Sequence, residues 1–262
     1  MQILHTFTGN LLVRVVVAIT NFDFWKLNFM TIHFIHIPKT GGQWVRYSCG
    51  LVRRGHFEFL ENRSEQVTFI RYPLDRWLSA MNHSLTKHNN LKDKPKKYPR
   101  YKHTRAVMER VLKEKGKKLY ERMIESQMNY NIMVRQLSGI EDTSNIRSHV
   151  NNRAEELKKW GAYQPLTTVE KKYTPDEMEL FLHRAKENLH KLDFVGHFNN
   201  LVLDTIRLSK KFKLPYNPPK RRIGETRKQF VIEDQYIKYV KMLNSYDMRL
   251  YKYFVKHVYE PC

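Results

Sequence analysis

The segment FIHIPKTGGQW, residues 34–44, constrains the fold more than any other stretch of the chain. The β-branched and aromatic run from Phe29 to Ile37 predicts a buried strand of a parallel sheet, and Pro38 ends that strand. Thr40 is suited to cap a following helix, because its hydroxyl can accept a hydrogen bond from the first turn. A strand, a tight glycine turn and a helix bind anions, since backbone N–H groups and the helix N-terminus converge on one ligand. The apolar face of this helix is expected to contain Trp44, Val45, Ser48, Leu51 and Val52.

A second strand-to-helix transition lies at residues 67–85. The run VTFI predicts a strand, and Arg71 stands where that strand ends. Pro73 suits the first helical position and Asp75 suits the first turn. The apolar stripe of the helix is expected to contain Leu74, Trp77, Leu78, Met81 and Leu85, and the opposite face to carry Arg76, Ser79 and Asn82.

The rest of the chain repeats this alternation of strands and helices. Two basic, proline-containing segments, 87–105 and 214–228, are predicted to be loops, and helical patterns cover 105–124 and 127–138. An amphipathic helix from Met178 to Leu192 leads into a third strand at 193–198, a helix through Leu208 and two C-terminal helices. The polar stretch 139–174 has no assigned structure. The alternation predicts an α/β fold of three layers, with helices on both faces of a parallel sheet.

The charge of the chain points to an anionic partner. Lys and Arg number 47 against 26 Asp and Glu, which gives a formal net charge of +21. Nucleic acid, an acidic membrane, a nucleotide and an acidic polysaccharide all satisfy this inference equally. Charge alone therefore does not choose between these partners.

Length and patterning predict one domain at 29–262, preceded by an N-terminal extension at 1–28. The apolar run LLVRVVVAIT in that extension has ten residues and includes Arg14. A bilayer span needs about 20 residues, so a membrane anchor is not expected. The run also lacks the flanks of a signal peptide. The two cysteines, Cys49 and Cys262, have neither disulfide nor metal-ligand spacing, and no metal site is expected.

The glycine loop differs from the usual nucleotide-binding loops. In G-x-x-x-x-G-K-[ST] the lysine follows the glycines, whereas Lys39 precedes Gly41 and Gly42 here. No G-x-G-x-x-G occurs in the chain either. Ordinary ATP or GTP chemistry is therefore disfavoured.

The sequence resembles carbohydrate sulfotransferases of the group that includes the heparan sulfate 2-O- and 6-O-sulfotransferases. In that family a PKTG loop after a strand binds the 5′-phosphosulfate end of 3′-phosphoadenosine-5′-phosphosulfate (PAPS). The family's second element, a strand ending in Arg followed by a helix with Ser, grips the 3′-phosphate. The likeness covers roughly residues 32–257, and it implies a P-loop-like fold. The matching residues here are Pro38, Lys39, Thr40, Gly41 and Gly42 in the first element, and Arg71, Pro73, Arg76 and Ser79 in the second.

The resemblance also implies roles for single residues. His56, in RGHFEFL, corresponds to the general base of similar enzymes, with Glu58 and Glu61 as the next candidates. Lys39 is expected to stabilise the leaving phosphate. In the family a loop folds over the nucleotide from the part of the chain that holds Arg222 and Arg227, which makes both residues candidate contacts to the 3′-phosphate or the acceptor.

Two departures from the family pattern concern cofactor binding. Gln43 and Trp44 replace the hydroxyl residues that commonly follow the glycines, although their backbone donors are kept. Tyr72 replaces the usual Asp. The first departure removes a side-chain contact to the 5′-phosphate that the family commonly has.

The expected reaction is transfer of a sulfuryl group from PAPS to a hydroxyl of a carbohydrate, with 3′-phosphoadenosine-5′-phosphate (PAP) as the second product. An anionic polysaccharide is the favoured acceptor, and the basic segment 87–105 could hold it. The other histidines are expected to be packing, structural or solvated residues: His33, His36, His83, His88 and His197. Similar animal enzymes carry an N-terminal Golgi membrane helix that this sequence does not show, so the compartment, like the oligomeric state, stays open.

Two alternatives to a sulfotransferase remain. One is a non-catalytic protein that binds a polyanion, either nucleic acid or an acidic glycan, on the same fold. Its affinity would fall steeply with salt and would not depend on PAPS. The other is a nucleotide or metabolite kinase, which would want a lysine after the glycines. If the protein is a sulfotransferase, nucleic acid is not expected to be its partner.

Overall fold

A computed structural model of the protein describes residues 32–51, 59–61, 65–92, 131–139, 173–219 and 230–260. The first half contains strands β1 (His33–Ile35) and β2 (Gln66–Ile70) and helices α1 (Gly42–Cys49), α2 (Pro73–Lys92) and α3 (Ile132–Ser138). The second half contains helix α4 (Pro175–Lys191), strand β3 (Phe194–His197), a 3₁₀ turn (Phe198–Asn200) and helices α5 (Leu201–Lys211), α6 (Asp234–Leu243) and α7 (Ser245–His257). The predicted extension at 1–28 lies outside the described residues, and the single domain at 29–262 stays a prediction.

The three strands form a parallel sheet in the order β1-β2-β3. Ile35 is level with Thr68, and Ile70 is level with His197. Since all three strands point the same way, their carboxyl ends meet at one edge of the sheet. The segments that follow the strands therefore lie side by side at that edge.

Helices cover both faces of this sheet, because successive side chains on a strand point to opposite sides. Ile35 and Ile70 pack into a cluster with residues of α3, α4 and α7. Phe34 and Phe69 face the other way, toward residues of α1 and α5. The expected α/β fold, with a parallel sheet and strands at the three predicted places, is confirmed at this level.

Three sequence-based expectations are wrong in detail. Thr40 does not cap α1, because its hydroxyl donates to the carbonyl of Ile37 at 2.9 Å and the cap position is occupied by Gly41. Helix α2 continues to Lys92, inside the segment that was expected to be a loop from residue 87. The next proline after Pro73 is Pro95, and proline is the residue that a helix interior excludes most strongly, so nothing forces α2 to end earlier.

The third error concerns Arg76, which was expected on the face of α2 opposite its apolar stripe. Its side chain is fully buried, and its charge lies near that of Asp247 on α7. Burial lowers the pKa of Arg76 to about 10, and the carboxylate of Asp247 opposes this shift. A compensating charge from another helix allows an arginine to be buried where a local pattern predicts exposure.

Asp247 is the centre of a buried polar cluster that joins α2, α3 and α7. Its carboxylate accepts hydrogen bonds from the backbone N–H of Val134 at 2.9 Å and of Met133 at 3.3 Å. Its own backbone N–H donates to Asn131 Oδ1 at 3.1 Å. Burial raises the pKa of Asp247. Several nearby groups oppose this rise, and the charge of Arg76 opposes it most. The carboxylate thus serves as an N-terminal acceptor for α3 and as a counter-charge for α2.

We expect Asp247→Ala to lower the free energy of unfolding by about 3–5 kcal/mol, because it leaves buried cations and backbone N–H groups without their acceptor. Urea denaturation measures this change. Asp234→Ala, which removes an exposed carboxylate from the first turn of α6, is the matched control and should cost less than about 1 kcal/mol. Equal costs for the two variants would contradict the role of the cluster.

Candidate anion-binding site

The loop between β1 and α1 has a backbone conformation that suits an anion. Lys39 and Gly41 both adopt left-handed conformations, with φ of +68° and +88°. Gly41 is the cap residue of α1, no side chain accepts a hydrogen bond there, and the first turn contains no acidic residue. The first-turn N–H groups of α1 are therefore donors without a side-chain cap, as at helix N-termini that hold phosphate groups. A lysine with positive φ is uncommon and is typical of functional loops.

Close packing restricts Gly42, and the backbone conformation restricts Gly41. A Cβ atom on Gly42 would lie 1.9 Å from the Cδ2 atom of His36. The His36 ring stacks on Phe34, with 5.7 Å between the ring centroids, which agrees with its expected packing role. A Cβ atom on Gly41 would lie 2.8 Å from Leu201 Cδ1, and the left-handed backbone disfavours a side chain there in any case.

Arg71 joins the segment after β2 to the loop after β1. Its Nη1 atom donates a hydrogen bond to the carbonyl of Lys39 at 3.1 Å. Its guanidinium also lies over the ring of Phe198, with Cζ 3.9 Å from the ring centroid. Burial lowers the pKa of Arg71, and the nearby carboxylate of Asp75 opposes this shift. The two sequence elements predicted to bind the two ends of one anionic molecule are thus in direct contact.

Two buried side-chain donors in these two elements have no hydrogen-bond partner within the described ranges. They are Arg71 Nε and the indole Nε1 of Trp44, in the first turn of α1. A buried N–H group without an acceptor costs about 1–3 kcal/mol, so such groups are rare unless a ligand or water completes them. Trp44 was noted as a departure from the family pattern, yet it brings a donor of its own. Gln43 is exposed beside it.

The remaining predicted cofactor residues differ in accessibility. Pro38 is buried, and the hydroxyl of Thr40 is used inside the loop. Ser79 is partly exposed and lies one turn before Asn82, on the same side of α2. Asn82 Oδ1 accepts a hydrogen bond from the backbone N–H of Phe230 at 2.8 Å.

Arg222, Arg227 and the predicted base His56 lie outside the described residues, and their roles stay predictions. The described flanks of the arginine segment are anchored on the two site helices. The backbone N–H of Asn217 donates to the carbonyl of Ser48 at 2.7 Å, near the C-terminal end of α1, and the backbone N–H of Phe230 donates to Asn82 on α2. The described residues on either side of that segment therefore contact these two helices.

Sequence reasoning missed the part played by the segment after β3 and by α7. Phe198 contacts Arg71, and Tyr251 on α7 is hydrogen-bonded to His197 Nε2 at 3.0 Å. The ring of Tyr251 also meets the ring of Tyr72 edge-on, with 5.3 Å between the centroids. The position of Phe198 at the carboxyl end of the predicted third strand was the signal that could have placed it at the site.

No protein-family model matches the chain, and a search of curated protein sequences finds no match. Among the helices that the structure describes, none is long and apolar enough to cross a membrane. The described ranges also contain no group of three His, Cys, Asp or Glu side chains placed to hold a metal ion. Cys49 is buried, and burial raises the pKa of its thiol to about 12, so it is not a thiolate nucleophile.

We expect Gly42→Ala to destabilise the protein by about 1–3 kcal/mol, because the new methyl group overlaps the His36 ring. In a His36→Ala background, the same Gly42→Ala substitution should cost much less stability, because the ring that it overlaps is absent. Urea denaturation of the four proteins in the cycle measures the coupling. An unchanged cost of Gly42→Ala in the His36→Ala background would contradict the packing.

We expect acid to destabilise the protein partly through His197. Burial lowers the pKa of His197, and Asp204 opposes this shift, while the unfolded chain keeps the ordinary value of about 6.5. Below that value the unfolded chain takes up a proton that the folded protein resists, so stability falls as pH falls. His197→Gln should therefore lose less stability than the wild type between pH 7.5 and pH 5, measured by urea midpoints. Exposed His257→Gln is the matched control; a steeper decline in His197→Gln than in the wild type would refute the assignment.

Proposed function

We propose that the protein is a PAPS-dependent sulfotransferase with a P-loop-like fold, which transfers a sulfuryl group to a hydroxyl of a carbohydrate. The observation that carries this proposal is the hydrogen bond from Arg71 Nη1 to the carbonyl of Lys39. It joins the PKTG loop to the arginine that follows β2. In the family that the sequence resembles, these two elements bind the two anionic ends of one cofactor.

The donor groups of the site fit PAPS. The uncapped N-terminus of α1 and the Trp44 indole are suited to oxygen atoms of the 5′-phosphosulfate end. Arg71, with a buried Nε that has no partner in the described ranges, is suited to the dianionic 3′-phosphate. When bound, PAPS supplies the sulfuryl group and a phosphate leaving group.

The reaction asks the protein mainly for positioning and for charge stabilisation, by analogy with phosphoryl transfer. Lys39 provides a cation next to the loop donors, where negative charge develops on the leaving oxygen. The backbone of residues 40–44 provides fixed donors that need no rearrangement during the reaction. His56 stays the predicted base for the incoming hydroxyl, a role worth about 10²- to 10⁴-fold in rate.

An anionic polysaccharide is the acceptor that we favour, and the charge of the chain is compatible with it. The chain has a formal net charge of +21, more than one nucleotide cofactor needs. Lys and Arg bind carboxylates and sulfates of a glycan as they bind phosphates. A non-catalytic polyanion-binding protein is the alternative that the same charge allows.

Calorimetric titration with PAP, 5′-AMP and ATP tests the proposal. We expect the wild type to bind PAP more tightly than 5′-AMP by roughly 10- to 150-fold, because a charge-assisted hydrogen bond is worth about 1.5–3 kcal/mol. Arg71→Ala should abolish this preference and leave the affinity for 5′-AMP nearly unchanged. Lys210→Ala, which removes an exposed charge from the last turn of α5, is the control and should keep it.

Three other results would oppose the proposal. Equal affinity for PAP and 5′-AMP in the wild type would exclude 3′-phosphate recognition. Binding of polyanions that falls steeply with salt and ignores PAP would favour the non-catalytic alternative. Preferential binding and turnover of ATP would favour a kinase.

A further inference from the structure

The ring of Phe198 lies between the two halves of the candidate site. One face of the ring is covered by the guanidinium of Arg71, with 3.9 Å from Cζ to the ring centroid. The ring also lies against the phosphate loop, since a Cβ atom on Gly41 would be 3.2 Å from Phe198 Cδ2. Phe198 itself carries no group that could react or bind a phosphate.

We propose that Phe198 is a positioning residue, which fixes Arg71 relative to the loop of Lys39 and Gly41 and so sets the selectivity for a 3′-phosphate. This inference rests on the proposed function. The inference adds to that function a residue from the segment after β3, which the resemblance did not assign to the cofactor site.

Arg71, the loop of Lys39 and Gly41, and Phe198 each contact the other two. Arg71 Nη1 donates to the carbonyl of Lys39, Lys39 is two residues before Gly41, and Gly41 packs against Phe198. The ring of Phe198 then returns to the guanidinium. Three of these links are direct contacts and the fourth is a short stretch of chain, so the ring and the loop together fix the position of Arg71.

Phe198 is itself held by buried groups. The backbone N–H of His197, the residue before it, donates to Asp204 Oδ2 at 2.7 Å, and Asp204 is fully buried. His197 is paired in register with Ile70, so the residue after β3 lies beside the residue after β2. The ring therefore has a fixed place next to Arg71, set by the sheet and by a buried carboxylate.

Contact with the face of an aromatic ring also restricts the movement of a guanidinium, because the cation is attracted to that face. Nη1 is bound to Lys39, while Nε is buried without a partner in the part of the chain that the structure describes. A flexible aliphatic side chain at position 198 would fill space but would offer no ring face to the guanidinium.

The test is the ratio of the dissociation constants for 5′-AMP and PAP, measured by calorimetry on full-length variants. Phe198→Leu should reduce this ratio about 3- to 30-fold, the range expected for losing a partly buried cation–π contact. Phe198→Tyr keeps the ring face and should keep the ratio within about twofold. Phe212→Leu, at the residue that follows the C-terminus of α5, is the matched control and should leave the ratio unchanged.

Thermal unfolding shows whether each variant is folded. If Phe198→Leu does not fold, Phe198→Met replaces it, because methionine keeps most of the volume without a ring. An unchanged ratio in the folded Leu or Met variant would overturn the inference while leaving the proposed function intact. Equal weakening of PAP and 5′-AMP would also overturn it, since it would show a merely structural role. A wild type without preference for PAP would overturn the proposed function, and the inference with it.

Discussion

The parallel alignment of β1, β2 and β3 is the constraint on which the candidate site depends. It brings three segments that are far apart in the sequence to one edge of the sheet, where Lys39, Arg71 and Phe198 make direct contacts. Helix packing on both faces holds the strands in this register. The chemistry proposed for the site therefore rests on long-range packing as much as on the two local motifs.

The sequence predicted the local parts of this arrangement and missed the contacts between them. The strand, turn and helix around Gly41 and Gly42 follow from periodicity and from residues that restrict the backbone. The contact of Phe198 with Arg71 depends on strand register, which no local pattern shows. Arg76 was misplaced for the same reason, because the carboxylate that compensates its burial, Asp247, comes from a distant helix. The end of α2 was misplaced because the segment from residue 87 contains two prolines and no apolar periodicity, although the first of these, Pro95, lies beyond the observed end of the helix.

The two arginines of the second motif have different tasks. Arg71 is partly buried, contacts the loop and has an Nε without a partner in the described ranges. Arg76 is fully buried near Asp247 and supports the packing of α2 against α3 and α7. One short motif thus combines a residue at the site with a residue that stabilises the helix behind it. Resemblance of sequence alone gives both residues equal weight.

The left-handed backbone of Lys39 costs folding free energy, whereas the lysine side chain at this position suits the binding of an anion. Glycine would adopt this conformation without strain, whereas any residue with a Cβ loses about 1 kcal/mol or more there. A lysine at this position supplies a positive charge that glycine cannot. Under the proposed function, the loop gives up stability for a cation at the anion site, and substitutions selected only for a higher melting temperature would tend to remove that cation.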